Sequence, residues 1–289
     1  MSTSPSSVGP ESAIALRAAA AAQVFVDDPR RPVVRSDDCR HLLRVLRLES
    51  GELVIACDGR GHWVACQFRR PTARRRSQGP DEASSEGEGL LAPEGPVTFD
   101  PAPSPHLTVA FAPAKGDRAE WVVQKLTEIG IDRIVPLVTD RSVVRWEGER
   151  RDRAVSRLQR IAVEASAQCR RTWIPEVTEP RALADVLASE GAERAAVGQA
   201  ELGGELGGEL GGDGTGSGLR CILVGPEGGW SPPELELGFQ KVGLGPNVLR
   251  SETAAVVAGA MLVAFRAGTV VARSPEVPAS GRHAGGQAR

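Results

Sequence analysis

From Leu107 to Phe265 the chain alternates short apolar runs with stretches of helical periodicity, and few folds accept that alternation. Leu107 to Phe111 reads as a strand. Asp117 to Ile129 then reads as a helix, with Val122, Leu126 and Ile129 on one face and Gly130 as its stop. Ile134-Val-Pro-Leu-Val138 is a second strand, in which Pro136 favours an edge or an irregularity. Arg151 to Gln168 is a long helix, Cys221 to Val224 a buried strand, Pro233 to Lys241 a helix and Asn247 to Leu249 strand-like. Thr253 to Phe265 is almost wholly apolar and long enough for a buried helix. Strands that alternate with helices predict an α/β domain on a parallel sheet.

Residues 23–70 have a different rhythm. Val24-Phe25-Val26 and Val33-Val34 are β-like, and Leu53 to Ala56 ends at the turn Asp58-Gly59-Arg60-Gly61. Trp63 to Phe68 then resumes an extended segment, which predicts a hairpin. His41-Leu-Leu-Arg-Val-Leu-Arg47 fits one or two helical turns. A small β-rich module therefore precedes the α/β domain, and 289 residues suit two such units. Residues 1–22 read as an extension. Their Ala18–Ala22 run lacks a basic leader and is preceded by Arg17, unlike a signal peptide. No run of eighteen apolar residues exists to span a bilayer. The five cysteines never form CxxC, which argues against a disulfide framework or a zinc site and fits a cytoplasmic, reducing setting.

Two segments interrupt this plan. Residues 71–105 begin with Arg74-Arg75-Arg76 and continue in Gly, Pro, Ser and acids, with a final strand expected near 97–99. Residues 199–218 repeat Glu-Leu-Gly-Gly three times and end in a Gly-rich run. Neither offers enough apolar surface to offset chain entropy, so both are expected to be disordered or loop-like, as is the tail 273–289. They also mask the electrostatics. The formal net charge is −2, but residues 74–95 and 199–218 account for −6 of it and leave +4 elsewhere. Between Arg141 and Arg171 nine Arg face four acids. Arg150, Arg153, Arg157 and Arg160 share one helical face, a spacing suited either to a solvated surface or to phosphate contacts. Aromatic residues make up only 4%, so a platform of stacked rings is not expected.

Two loops carry the chemistry. Ile222-Leu-Val-Gly-Pro-Glu-Gly-Gly229 puts glycines directly after a buried strand, where α/β sheets bind ligands. It is neither a phosphate-binding P-loop nor a dinucleotide fingerprint. A tight turn alone would also account for it. Leu244-Gly-Pro-Asn-Val-Leu-Arg-Ser-Glu-Thr-Ala254 opens the apolar helix, with Ser251 as a plausible N-cap and Glu252 complementing the helix dipole. That capping leaves Arg250 unexplained. No His pairs with a nucleophile at a recognisable spacing, and no carboxylate cluster has metal-ligand spacing, so no metal is expected.

These two loops together resemble the ribosomal RNA small subunit methyltransferase E family, of the SPOUT superfamily. Lys115-Gly-Asp-Arg118 with Gln124-Lys-Leu-Thr-Glu-Ile-Gly130, Arg141-Ser-Val143 and Arg160 to Gln168 fit that family, as do His41 to Arg47 and Cys57-Asp-Gly59 in the first domain. The resemblance covers about residues 23–70 and 106–267. It implies a small N-terminal PUA-like β-barrel and a C-terminal SPOUT methyltransferase domain, 106–272, with a trefoil-knotted parallel sheet. It also implies a homodimer that binds S-adenosylmethionine and methylates N3 of one uridine of 16S ribosomal RNA in the 30S subunit. The cofactor would be cradled by Leu223, Val224, Gly225, Pro226, Glu227, Gly228 and Gly229. The second wall would be Leu244, Gly245, Val248, Leu249, Arg250, Glu252, Thr253 and Ala254. Asn247 stands where the family often has Arg, which a backbone-made pocket does not require. Arg250 and Glu252 are the catalytic candidates. RNA would meet Arg44 and Arg47 in the first domain, and Lys115, Arg118, Lys125, Arg141, Arg153, Arg157, Arg160, Arg170 and Arg171 in the second. A SPOUT enzyme acting on a ribose 2′-hydroxyl and a non-catalytic ribosome assembly factor are the competing readings.

Overall fold

The structure is a computed structural model that describes residues 10–71, 87–191, 195–199, 218–237 and 239–269. The N-terminal part comprises α1 (Pro10–Ala19), β1 (Ala22–Phe25), α2 (Ser36–Arg40), a π-helical turn (His41–Val45), β2 (Leu53–Cys57), β3 (His62–Phe68), β4 (Leu91–Pro93) and β5 (Thr98–Phe99). β1 runs parallel to β2, and β3 pairs antiparallel with β2, β4 and β5. Alternate residues go to opposite faces, as the strand period demands. Val54, Ala56, Val64 and Phe68 pack with Leu42 and Leu48 on one face. Ile55, Cys57, Trp63 and Ala65 form the other, which closes against Val163, Ala167 and Ile174 of the second domain.

The first insert is only partly loop-like. Leu90, Leu91, Val97 and Phe99 punctuate its Gly- and Pro-rich sequence, and residues 87–105 use them to add β4 and β5 to the sheet. Arg74–Arg76, the acids Asp81, Glu82 and Glu86 after them, the Glu-Leu-Gly-Gly repeat and the tail 273–289 lie outside the described residues.

The second domain runs β6 (Thr108–Phe111), α3 (Arg118–Ile129), β7 (Arg133–Val138), α4 (Gly148–Gln168), β8 (Glu176–Val177), β9 (Arg181–Ala182), α5 (Leu183–Glu190), β10 (Ala195–Gln199), β11 (Cys221–Val224), α6 (Pro232–Leu235), β12 (Gln240–Gly243) and α7 (Ser251–Arg266). The strand order is β12-β10-β11-β6-β7-β8, with β9 also on β7 and every pairing parallel. Both faces are covered, which explains the apolar strands. Val109, Phe111, Ile222 and Val224 meet α3, α4 and α7, whereas Ala110, Val135, Leu137 and Leu223 meet α5 and Phe239.

Pro136 sits at an irregularity and not on an edge strand: it falls between the short pairings that β8 and β9 make with Arg133–Ile134 and Leu137–Val138, so its missing N–H interrupts no ladder on that side. Three local expectations change. The helix expected over Pro233–Lys241 is a single turn, because Leu235 and Leu237 face solvent while Phe239 is drawn into the core. The strand of this region is Gln240–Gly243 rather than Asn247–Leu249. Ser251 is the first helical residue of α7 and not its cap; Arg250 holds that position in extended conformation.

The domains meet at Asp100. Its carboxylate accepts hydrogen bonds from Trp63 Nε1 (3.1 Å), Thr172 Oγ1 (2.9 Å) and the Arg17 guanidinium, and its carbonyl from Trp173 Nε1 (2.9 Å). Arg170 and Arg171, expected on the RNA-binding face, carry structural contacts of their own. Arg171 donates to the carbonyls of Thr127 (2.9 Å) and Ile131 (2.7 Å) and pairs with the buried Asp132 (3.2 Å). Arg170 donates to Ala167, Ala20 and Ala21 carbonyls. It does so from a left-handed backbone (φ 63°), a conformation costing roughly 1–2 kcal/mol for a residue with a Cβ.

Two expectations are measurable. Asp132 also pairs with Arg266, and both arginines are largely buried. Asp132→Ala strands two guanidiniums and should lower unfolding free energy by about 3–5 kcal/mol in a denaturant titration. Burial pushes the Cys57 and Cys66 thiols up to about 12 and raises Cys221 further. These three should resist a disulfide reagent at neutral pH until the protein is unfolded.

Candidate active site

Parallel strands deliver their loops to one edge of the sheet. At the centre β6 and β11 end side by side, with Phe111 opposite Val224. Their loops, Ala112–Asp117 and Gly225–Trp230, therefore leave from neighbouring points. Leu223 and Val224 spend their side chains on the two cores, so only their backbone reaches the edge. Pro226 and Gly229 close a tight turn through Gly229 N–H to Pro226 C=O (2.9 Å). The amides of Glu227 and Gly228, at the centre of that turn, donate to no backbone group among the described residues. They are oriented donors with spare capacity.

Close approach explains the first glycine. A Cβ on Gly225 would lie 2.8 Å from the Trp230 ring, which folds back over the loop and meets Phe239 at 5.9 Å. Gly198, near the end of β10, is a glycine the sequence reading missed. Its Cβ would lie 2.8 Å from Leu244 Cδ1, so the second loop crosses directly over β10. An isolated glycine in a strand is the signal that could have found it.

The second loop leaves β12 through Leu244 and Gly245, which are buried, and then exposes Asn247 and Val248. Leu249 packs against the main core and Ala254 is inside it. Arg250 and Thr253 are exposed, and the Arg250 guanidinium has no hydrogen bond or ion pair among the described residues. Glu252 is mostly covered, its carboxylate 3.5 Å from Arg118. The same Arg118 nitrogen lies 3.6 Å from Glu227. One guanidinium from the start of α3 thus joins the β11 loop to the first turn of α7. The loops share a site.

A brace stands on the far side. Arg141 donates to Gly228 C=O (2.9 Å), Asp140 N–H to Glu234 (2.9 Å), and the Ser231 hydroxyl to the Asp140 carboxylate. Ser231 and Glu234 form a capping box on α6. Sequence reading gave Arg141 to RNA and did not single out the other three.

The remaining cations divide. Lys115, Arg153, Arg44 and Arg47 are exposed without an ion pair among the described residues. Lys125 pairs with Glu128 (2.8 Å), Arg157 with Glu120 (2.7 Å) and Arg160 with Glu164 (3.6 Å). The α4 arginine face is therefore less unbalanced than its own sequence suggests, because α3 supplies Glu120. Among the described residues no cluster of His, Cys, Asp and Glu forms a metal site.

Gly225→Ala tests the loop geometry. Its methyl must displace the Trp230 ring, and overpacking of this kind costs about 1–3 kcal/mol. Chemical denaturation should show that loss; unchanged stability would mean that the ring moves aside freely.

An RNA methyltransferase domain model matches residues 101–263, and an RNA methyltransferase PUA domain model matches residues 34–74. Ribosomal RNA small subunit methyltransferase E of Mycobacterium tuberculosis is 31% identical over 233 residues, 78% of this chain and 83% of that protein. The Bacillus subtilis protein of that name is 27% identical over 235 residues, 78% of this chain and 86% of its own. A Legionella pneumophila structure in complex with bound SAM superposes with TM-score 0.65 at 25% identity, covering 84% of this chain and 96% of that one. The fold is also that of the Neisseria gonorrhoeae methyltransferase E bound to S-adenosyl methionine (TM-score 0.66, 24% identity, coverage 83% and 96%). With an RNA methyltransferase model over more than half its length and a relative of that name 31% identical over most of both chains, this chain belongs to the ribosomal RNA small subunit methyltransferase E family.

Proposed function

We propose that the protein methylates N3 of one uridine in 16S ribosomal RNA, using S-adenosylmethionine, as a homodimer acting on the 30S subunit in the cytoplasm. The observation that carries this reading is the bridge from Arg118 to Glu227 and Glu252, which draws three separate family segments into one site. The site suits the cofactor. It offers turn amides without backbone partners, apolar Leu244, Val248 and Leu249, and glycines where side chains would intrude. Gly225–Gly229 and Leu244–Leu249 would hold it. When bound, it supplies an electrophilic methyl group on a sulfonium.

The protein's part is positioning and proton management. N3 of uridine carries a proton that must leave before its lone pair can attack. Glu252 is the carboxylate placed to take it, steered by Arg118 at 3.5 Å and by Ser251 Oγ at 3.4 Å. Negative charge then spreads over the pyrimidine carbonyls. Arg250, exposed at the helix start and without a partner among the described residues, is the cation available to stabilise it. The knot belongs to the same reading. The chain leaves the sheet centre at β11, forms the edge strand β12 beyond β10, and returns to lay α7 over β11 and β6.

Arg250→Ala should lower methyl transfer by about 10²–10³-fold while calorimetry still detects cofactor binding. Unchanged turnover would remove Arg250 from the mechanism. Labelled S-adenosylmethionine with 30S subunits, followed by mapping of the modified atom, tests the reaction itself. Label on a ribose would replace this reading, and no transfer would end it.

A further inference from the structure

The segment between β11 and β12 inverts the usual rule of burial. On α6 the apolar Leu235 is 46% exposed, and Leu237 just beyond it 44%, whereas Ser231 and Glu234 are each 7% exposed. A carboxylate is kept from water only where its oxygens are engaged. Both oxygens of Glu234 are. One accepts the Ser231 N–H (2.8 Å), and the Ser231 hydroxyl accepts the Glu234 N–H (3.4 Å), which completes the capping box. Capping requires no more than that. Here its two remaining groups reach outside the helix. The second Glu234 oxygen accepts the Asp140 N–H (2.9 Å), and the Ser231 hydroxyl donates to the Asp140 carboxylate.

Asp140 follows a strand that is not a neighbour of β11. β6 lies between β7 and β11, so the link crosses two strand spacings, roughly 9–10 Å, over the end of β6. Its footing is firm. Thr139, 3% exposed, closes the β7 loop through Thr139 N–H to Ser142 Oγ (3.0 Å) and Ser142 N–H to Thr139 C=O (3.1 Å). From that loop Arg141 holds Gly228 C=O (2.9 Å), while Asp140 holds Ser231 and Glu234. The β11 loop is thus fastened at Gly228 and again just after Trp230. Three of the five residues Gly225-Pro-Glu-Gly-Gly229 are glycine, which loses more freedom on ordering than any other residue. A loop already held in shape avoids that cost when a ligand binds.

We infer that Asp140, Ser231 and Glu234 are positioning residues for the cofactor. They act through the β11 loop and supply nothing to the reacting atoms. By fixing that loop they aim the amides of Glu227 and Gly228 before S-adenosylmethionine arrives. Their effect therefore falls on its affinity and not on the chemical step. A capping box serving α6 alone would move Tm and leave the affinity untouched. The inference deepens the proposed function and rests on it for the identity of the cofactor.

The test uses the full chain and measures Kd for S-adenosylmethionine by calorimetry, Tm, and methyl transfer to 30S subunits at saturating cofactor. Asp140→Ala removes the acceptor of the Ser231 hydroxyl from an exposed residue, so Tm should be nearly unchanged. Kd should nevertheless rise about tenfold, the scale of one hydrogen bond to a charged group, with kcat within about twofold of wild type. Asp140→Asn keeps an oxygen at that position and should keep most of the affinity. Glu234→Gln sets an amide donor against one of two backbone N–H groups and should weaken binding at least as much as Asp140→Ala. Leu235→Ala, on the same helix but outside the brace, should bind as wild type does. Wild-type Kd in Asp140→Ala would overturn the inference. So would a loss in Leu235→Ala equal to that in Asp140→Ala, or an Asp140→Asn variant that binds no better than Asp140→Ala. A wild-type protein that shows this pattern of binding yet methylates no 30S subunit would end the proposed function and leave the brace standing.

Discussion

Asp132 is the group on which both ends of the second domain converge. Its carboxylate takes Arg171 from the end of α4, Arg266 from the end of α7 and the Leu107 amide at the start of β6. A buried charge of this kind is costly unless fully engaged. Satisfying it fixes two helix ends against the amino-terminal edge of the sheet. Arg171 also offers its carbonyl to Gln23 (2.7 Å), and the adjacent Thr172 meets Asp100 and Gly61. The first domain is thereby seated on the same edge.

The opposite edge is consequently left for chemistry. Strands β6, β7, β11 and β12 end there in loops, and contacts between those loops give them shape. Arg118 ties Glu227 to Glu252, Arg141 holds Gly228, and Trp230 covers Gly225. Arg250 stands beside this assembly without an internal partner among the described residues. A charge that the fold does not use is available to a reaction.

The arginines show how far sequence can go with charge. Their concentration between residues 141 and 171 was plain, and it pointed to RNA. Their individual duties were not legible. Arg141 reaches a carbonyl 87 residues away, Arg170 one 150 residues away, and Arg157 a carboxylate on another helix. No local spacing encodes such partners. Gly198 and the capping pair Ser231–Glu234 did leave local signals, an interior-strand glycine and a Ser-x-x-Glu box, that could have been read.

Sequence by itself determined the alternation of apolar strands and amphipathic helices, the two glycine-bearing loops and the family they resemble. Each of these is written in contiguous residues, where period and side-chain size act locally. Tertiary structure decided the rest. Gln240–Gly243 became a strand because β10 offered it a free edge, although its own composition is polar. Leu90 to Phe99 left the loop class because β3 had room for two more short partners. Glu227, Glu252 and Arg118 became one site because parallel strands deliver distant loops to one edge, a consequence of strand order that no segment contains.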